Sequence, residues 1–187
     1  NYTRAMHIRR RTALSIFNTV ISGWSVGLTM DDQATLDNFT SGAGVLSNNV
    51  LFAPNTTANA EFGSTVTGAA ATTVKDFWTN GANITEKPTS TAGWSPNPGT
   101  PANSVNPYAA YGLDKALFFG AYTASTYPSN PNFAISTGSL TGLTASTLFA
   151  NAKLGSFFDK TVTYTGAFGG TDWTDTCAEF QPQAKAY

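Results

Sequence analysis

The chain has 187 residues, a formal net charge of −1 and only 11% charged residues, against about a quarter in an ordinary soluble domain. That length buries a core without disulfides or metals, so a single domain over 1–187 is expected, and no cofactor is implied. One cysteine, Cys177, excludes an intramolecular disulfide framework, and the sequence contains no eighteen-residue apolar run, which argues against a membrane span. Thr, Ser, Asn, Gly and Ala occupy the surface positions that Lys and Glu usually fill, a composition suited to an extracellular β protein. Rows of Thr and Asn hydrogen-bond along stacked strands without the repulsion of stacked like charges. The chain begins at Asn1 with no charged-then-apolar leader, the expectation for a processed piece of an exported protein.

From Met6 to Trp24 the apolar residues alternate. Met6 and Ile8 fall on one face and His7 and Arg9 on the other, and Leu14, Ile16 and Val20 alternate with Ser15, Phe17 and Ile21. The β-branched residues, the central Asn18 and the lack of capping chemistry favour strand over helix. A second run leads from Gly27-Leu28-Thr29-Met30 through Asp31-Asp32 to Thr35-Leu36-Asp37-Asn38-Phe39. A third covers Gly44 to Ala53. From about 54 to 131 the pattern dissolves into a long excursion. Thr73 to Trp78 reads as a short helical turn or a strand, Leu113 to Phe119 as one helical segment. Pro88, Pro96, Pro98, Pro101 and Pro107 exclude helix interiors and central strands. Strand runs resume near Phe133-Ala134-Ile135 and Phe149 to Leu154, and Val162, Tyr164 and Phe168 close the chain with a last glycine-bounded strand.

Similar strand-plus-asparagine units, with Asn18 and Asn49 in comparable places, recur every twenty to thirty residues or so. Such spacing is that of a repeat whose every coil needs its neighbours to bury its face. The predicted fold is all-β, a right-handed parallel β-helix with a long proline-rich loop. An antiparallel sandwich, the alternative, needs hairpin turns of the Asn-Gly or Asp-Gly kind, and the chain has only Asn80-Gly81.

Several segments carry a family resemblance. They are Tyr2 to Arg10, Phe17-Asn18-Thr19-Val20-Ile21-Ser22-Gly23-Trp24, Gly27-Leu28, Asn132-Phe133, Leu140-Thr141-Gly142, Phe149 to Leu154, Phe157 to Lys160, Tyr164 to Gly169 and Asp172-Trp173-Thr174. Together they resemble the C-terminal part of secreted or surface proteins of Bacteroidetes-type bacteria, exported by a type IX system and built on a right-handed parallel β-helix. The resemblance implies a cell-surface or extracellular location, a non-enzymatic role and no activity to carry over. It covers both ends of the chain and skips the middle. Where the family runs from Asp-Trp-Thr into Gly-Trp, an aromatic and Pro, this chain has Asp175-Thr176-Cys177-Ala178-Glu179-Phe180-Gln181-Pro182, which implies a different cap. The start at Tyr2 then falls inside a helix of coils, and the first coil presents a row of backbone donors and acceptors to upstream coils or to another copy.

No catalytic residue and no metal site stand out. Asp31 and Asp32 resemble the acid pair of pectin-cleaving hydrolases, but the Gly-His-Gly turn and Arg-x-Lys element those enzymes need are missing. The bland reading is a turn with solvated acids. Asp31, Asp32 and Asp37 supply oxygens for a calcium-dependent lyase only if the fold gathers them. All four arginines and the only histidine lie in the first eleven residues. Arg4, His7, Arg9 and Arg11 therefore form either an anion-binding strip or a set that stacks on preceding coils and pairs with Asp31, Asp32 or Asp37 of the next. Nucleic acid is an unsuitable partner, because the rest of the chain is acidic. Trp78 and Trp94, with Tyr108 and Tyr111, offer a carbohydrate-binding face on the excursion, or anchors for it. Sequons at Asn38, Asn55 and Asn83 matter only in a eukaryotic secretory pathway. The expected function is that of a structural or adhesive surface element that assembles with copies of itself and meets cell-surface glycans. The alternative is a polysaccharide-binding or polysaccharide-degrading β-helix.

Overall fold

The computed structural model describes residues 4–22, 24, 26–52, 61–68, 71–86, 149–162, 164, 166–168, 173–174 and 178. Trp94, Tyr108, Tyr111, Cys177, the proline-rich stretch and the segments near Leu113 and Phe133 lie outside these residues.

The alternating run after Arg4 does form strands: β1 (Arg4–Ile8), β2 (Ser15–Phe17) and β3 (Val20–Ser22). They are followed by β4 (Val26–Met30), α1 (Gln33–Thr40), β5 (Val45–Ser47), β6 (Val50–Phe52), β7 (Phe62–Ser64), α2 (Ala71–Asn80) and β8 (Ile84–Glu86). Every pairing among the described residues is parallel. The sheets run β1-β4-β7, β2-β5 and β3-β6-β8, and none closes into a barrel. The chain thus visits a first, second and third sheet in turn, then returns to the first one strand further on. In the third pass α2 stands where the earlier passes place β2 and β5. Residues 62–86, expected inside the excursion, are therefore a third pass.

Two further expectations change. Thr35 to Phe39 is helical, because Asp32 caps α1 by accepting the Thr35 N–H at 2.8 Å, and Leu36 and Phe39, three positions apart, are both buried. Phe149 to Leu154 and the described residues from Asp159 to Phe168 are turns, bends and irregular chain, with no strand. There Asn151 Oδ1 accepts the Lys153 N–H at 3.0 Å, and Asp159 Oδ1 accepts the Thr161 N–H at 2.9 Å and its hydroxyl at 2.6 Å. Side chains that satisfy the backbone this locally compete with a strand ladder.

The core lies between the sheets. Ile8, Leu28, Met30 and Phe62 project from the first sheet, Leu46 and Leu51 from the other two, and the helices add Leu36, Phe39, Val74 and Trp78. The Trp78 indole lies 6.2 Å from the Phe62 ring, and Phe39 of α1 meets Phe77 of α2 at 6.1 Å, which joins the two helices at one point.

The corner between the second and third sheets is built the same way three times. Asn18, Asn48 and Ala82 have φ of 52°, 56° and 55°, the left-handed region that asparagine tolerates better than most residues. The strand register puts Asn18 level with Asn48 and Thr19 level with Asn49, one position off the expected match of Asn18 with Asn49. Asn49 Oδ1 accepts the Thr19 N–H at 2.9 Å, and Asn49 Nδ2 donates to the Ile16 carbonyl at 2.9 Å. One pass on, Asn83 Oδ1 accepts the Asn49 N–H at 2.7 Å, and Asn83 Nδ2 donates to the Leu46 carbonyl at 2.8 Å. Asn49 Nδ2 also donates to Asn83 Oδ1 at 2.8 Å, and Asn49 is fully buried. Gly81 precedes this corner in the third pass, where an added Cβ would overlap the Leu46 carbonyl oxygen.

The C-terminal segment folds back onto the first pass. The Gly166 N–H donates to the Asn18 carbonyl at 2.7 Å, the Lys153 ammonium donates to the Ala43 carbonyl and the Ser15 hydroxyl, and Leu154 is buried.

Asn49→Ala strands the Thr19 N–H and the Ile16 carbonyl at a half-buried corner, so a loss of about 1–3 kcal/mol is expected in urea unfolding. Gly81→Ala, whose Cβ would collide with the Leu46 carbonyl and with the hydrogen-bonded Asn83 amide, is expected to cost about 1–3 kcal/mol in the same measurement.

Candidate functional site

The residues singled out at the N-terminus converge with Asp31 and Asp32 where the first sheet ends. β1 stops at Ile8, and Arg10 and Arg11 turn the chain with φ of 59° and 61°. The alternation that would have placed His7, Arg9 and Arg11 on one strip therefore ends with the strand, and Arg4, at its other end, is exposed.

What the second pass recognises in this segment is His7 and the backbone of the arginine turn. The His7 ring pairs with Asp31 through Nε2 and Oδ2. Asp31 Oδ1 accepts the Thr65 hydroxyl at 2.8 Å and the Thr65 N–H at 3.1 Å, while the Asp31 N–H donates to the Ile8 carbonyl at 2.9 Å. One carboxylate thus ties three successive passes. Beside it, Asp32 Oδ2 accepts the Arg10 N–H while Oδ1 caps α1. The Arg11 N–H donates to the Thr35 hydroxyl at 3.1 Å, and Asn38 Nδ2 donates to the Arg11 carbonyl at 2.8 Å. Successive backbone N–H groups in a left-handed turn make an anion site, and here the anion is the protein's own Asp32.

The electrostatics follow from this geometry. Partial burial raises the Asp31 carboxyl, but the hydrogen bonds from His7 and Thr65 and the charge of His7 outweigh it and hold the group below its ordinary 3.8. For Asp32 desolvation also acts upward, and the N–H groups of Thr35 and Arg10 overcome it. A glycosidase needs one acid whose affinity for its proton is raised, so that it protonates the leaving oxygen. Both groups here are shifted the other way, and all four of their oxygens accept hydrogen bonds. Asp37 accepts from Gln33 Nε2 at 2.8 Å, and among the described residues no three His, Cys, Asp or Glu side chains gather as a metal site.

Trp78, expected on an exposed face, is 1% exposed in the core. The reason is helical spacing: Val74 and Trp78 share the inner face of α2, so the indole packs on Phe62 and is closed to a sugar ring. Its expected companions Trp94, Tyr108 and Tyr111 lie outside the described residues. The polar groups that the sequence reading passed over are Thr65, Thr35 and Asn83. Their only advance signal is that they lie one pass on from acceptors or donors already suspected. Among the described residues no helix is long and apolar enough to cross a membrane. No protein-family model matches the chain, no curated protein matches it, and no solved structure matches its fold.

Asp31 and Asp32 bind protons less readily in the folded chain than in the unfolded one. Their contribution is complete above their ordinary value of 3.8 and disappears as pH falls through the lower folded values. Thermal melts by circular dichroism between about pH 2 and pH 6 are expected to show the midpoint dropping on the acid side. Asp31→Asn with Asp32→Asn is expected to flatten that limb and to lower the midpoint near neutrality.

Proposed function

We propose that this chain is part of a right-handed parallel β-helix from an exported bacterial surface protein, and that it works without catalysis as a structural or adhesive element whose passes stack with further coils or with copies of itself. The observation that carries this reading is repetition. What Asn49 does to Thr19 and Ile16, Asn83 does to Asn49 and Leu46. A pass that receives its neighbour through the same side chains and the same parallel ladder is a unit of a longer stack. The acid pair supports the same reading, since both oxygens of Asp31 and Oδ2 of Asp32 join passes. Among the described residues β4 is the only strand paired with β1, so the outer edge of Arg4–Ile8 is where a further coil or copy would add. The Asn18 corner is already met by Gly166.

Electron microscopy of the native, unconcentrated protein tests this. Filaments or rings with a fixed repeat are expected, together with sedimentation that shifts to larger species as concentration rises. Discrete particles at every concentration would overturn the assembly. Release of reducing ends from a polysaccharide that Asp31→Asn and Asp32→Asn abolish would overturn the non-catalytic role.

A further inference from the structure

Where the C-terminal segment folds back, it leaves a groove. Two adjoining hollows of about 540 Å³ and 550 Å³ share Phe17, Asn18, Thr19 and Phe149. Tyr164 and Asp159 wall the first, Phe158, Lys153 and Ser15 the second. A third hollow of about 450 Å³ is lined by Asn48 and Ser47 of the second pass, Asn80 and Ala82 of the third, and Ala150 and Asn151 opposite. Asn18, Asn48 and Ala82 occupy successive levels of one corner, so the hollows follow the stacking direction over three passes, roughly 10 Å at ordinary strand spacing.

The lining defines what fits. At the first-pass end Phe17, Phe149, Phe158 and Tyr164 offer aromatic rings, and further along Asn80 and Asn151 offer amide groups, while Asn48 and Ser47 beneath them are buried and bonded to each other. One cation and one anion contribute charge. Lys153 is turned to the Ala43 carbonyl and the Ser15 hydroxyl, and Asp159 accepts from Thr161. An extended peptide would need free ladder positions, whereas the backbone of Asn18 and Thr19 is already committed to Ser47, Asn49, Val50 and Gly166. From this geometry we infer that the groove binds a neutral oligosaccharide chain lying along the stack, with sugar faces on the aromatic end and hydroxyl edges on the asparagine end. This site is separate from β1, and it stands whether or not the protein assembles.

Titration calorimetry of the full chain with neutral hexaoses of cellulose, xylan, mannan and chitin type, each beside its monosaccharide, tests the inference. At least one hexaose is expected to bind saturably and more tightly than its monosaccharide, and Tyr164→Ala is expected to weaken it about threefold to tenfold. Phe158→Ala, at a side chain 46% exposed and so tolerant of truncation, is the second variant and is expected to act in the same direction with an unchanged circular dichroism spectrum. Absence of binding by every hexaose at millimolar concentration, equal binding by both variants and the parent, or tighter binding of a sulfated hexaose than of any neutral one would each overturn it.

Discussion

The structure depends on a buried carboxamide that serves two masters. At the corner between the second and third sheets the chain must turn sharply, and the turn leaves an N–H and a carbonyl of the preceding pass without strand partners. Asn49 supplies both missing groups to Thr19 and Ile16, and takes its own backbone partner from Asn83. An amide carries an acceptor oxygen and two N–H donors in a fixed plane, so a side chain that both accepts from and donates to the preceding pass, and donates onward to Asn83, fixes the vertical spacing and the rotation of one pass on the next. Hydrophobic burial alone would permit sliding by a residue. The polar corner does not, since a slip would leave several buried groups unmatched.

The far end of the first sheet is held by a different chemistry with the same logic. Asp31 and Asp32 reach back to His7 and to the backbone after it, and Asp31 reaches forward to Thr65. Each pass is therefore pinned at two places, by amides at one corner and by carboxylates at another, with Ile8, Leu28, Met30, Leu51, Phe62 and Trp78 filling the space between. This division explains the sparse charge of the chain. Stacked passes bring equivalent positions within a strand spacing of each other, where a neutral side chain can repeat and a charged one must find an opposite partner.

The parallel, stacked character was legible where apolar residues alternate, from Ile8 to Ile21 and again around Val50. The register was not. Matching asparagine to asparagine aligns Asn18 with Asn49, but hydrogen bonding aligns Asn18 with Asn48, because left-handed backbone belongs to the residue before the amide ladder. Asp32 four positions before Leu36 was a readable helix cap, yet the strand pattern of its neighbours masked it. The third pass escaped notice because its strands are three residues long and its apolar weight is carried by α2. The converse error came from Val162, Tyr164 and Phe168, whose alternation suggests a strand where Asp159 and Gly166 turn the backbone. Of the candidate site, the acids and His7 were visible as residues. Their mutual engagement was not, since it joins positions 24 and 34 residues apart.

The return of the C-terminal segment also orders events in time. The Lys153 ammonium reaches a carbonyl 110 residues earlier and a hydroxyl 138 residues earlier. Each of the three passes can form against the one before it as the chain emerges, since its partners have already been made. The closing contact has to wait until Lys153 and Gly166 have been made. A chain interrupted before this point still owns its strands, its corner amides and its carboxylate clamps, but it has only one wall of the groove, which makes that groove a mark of synthesis carried past the third pass to Gly166.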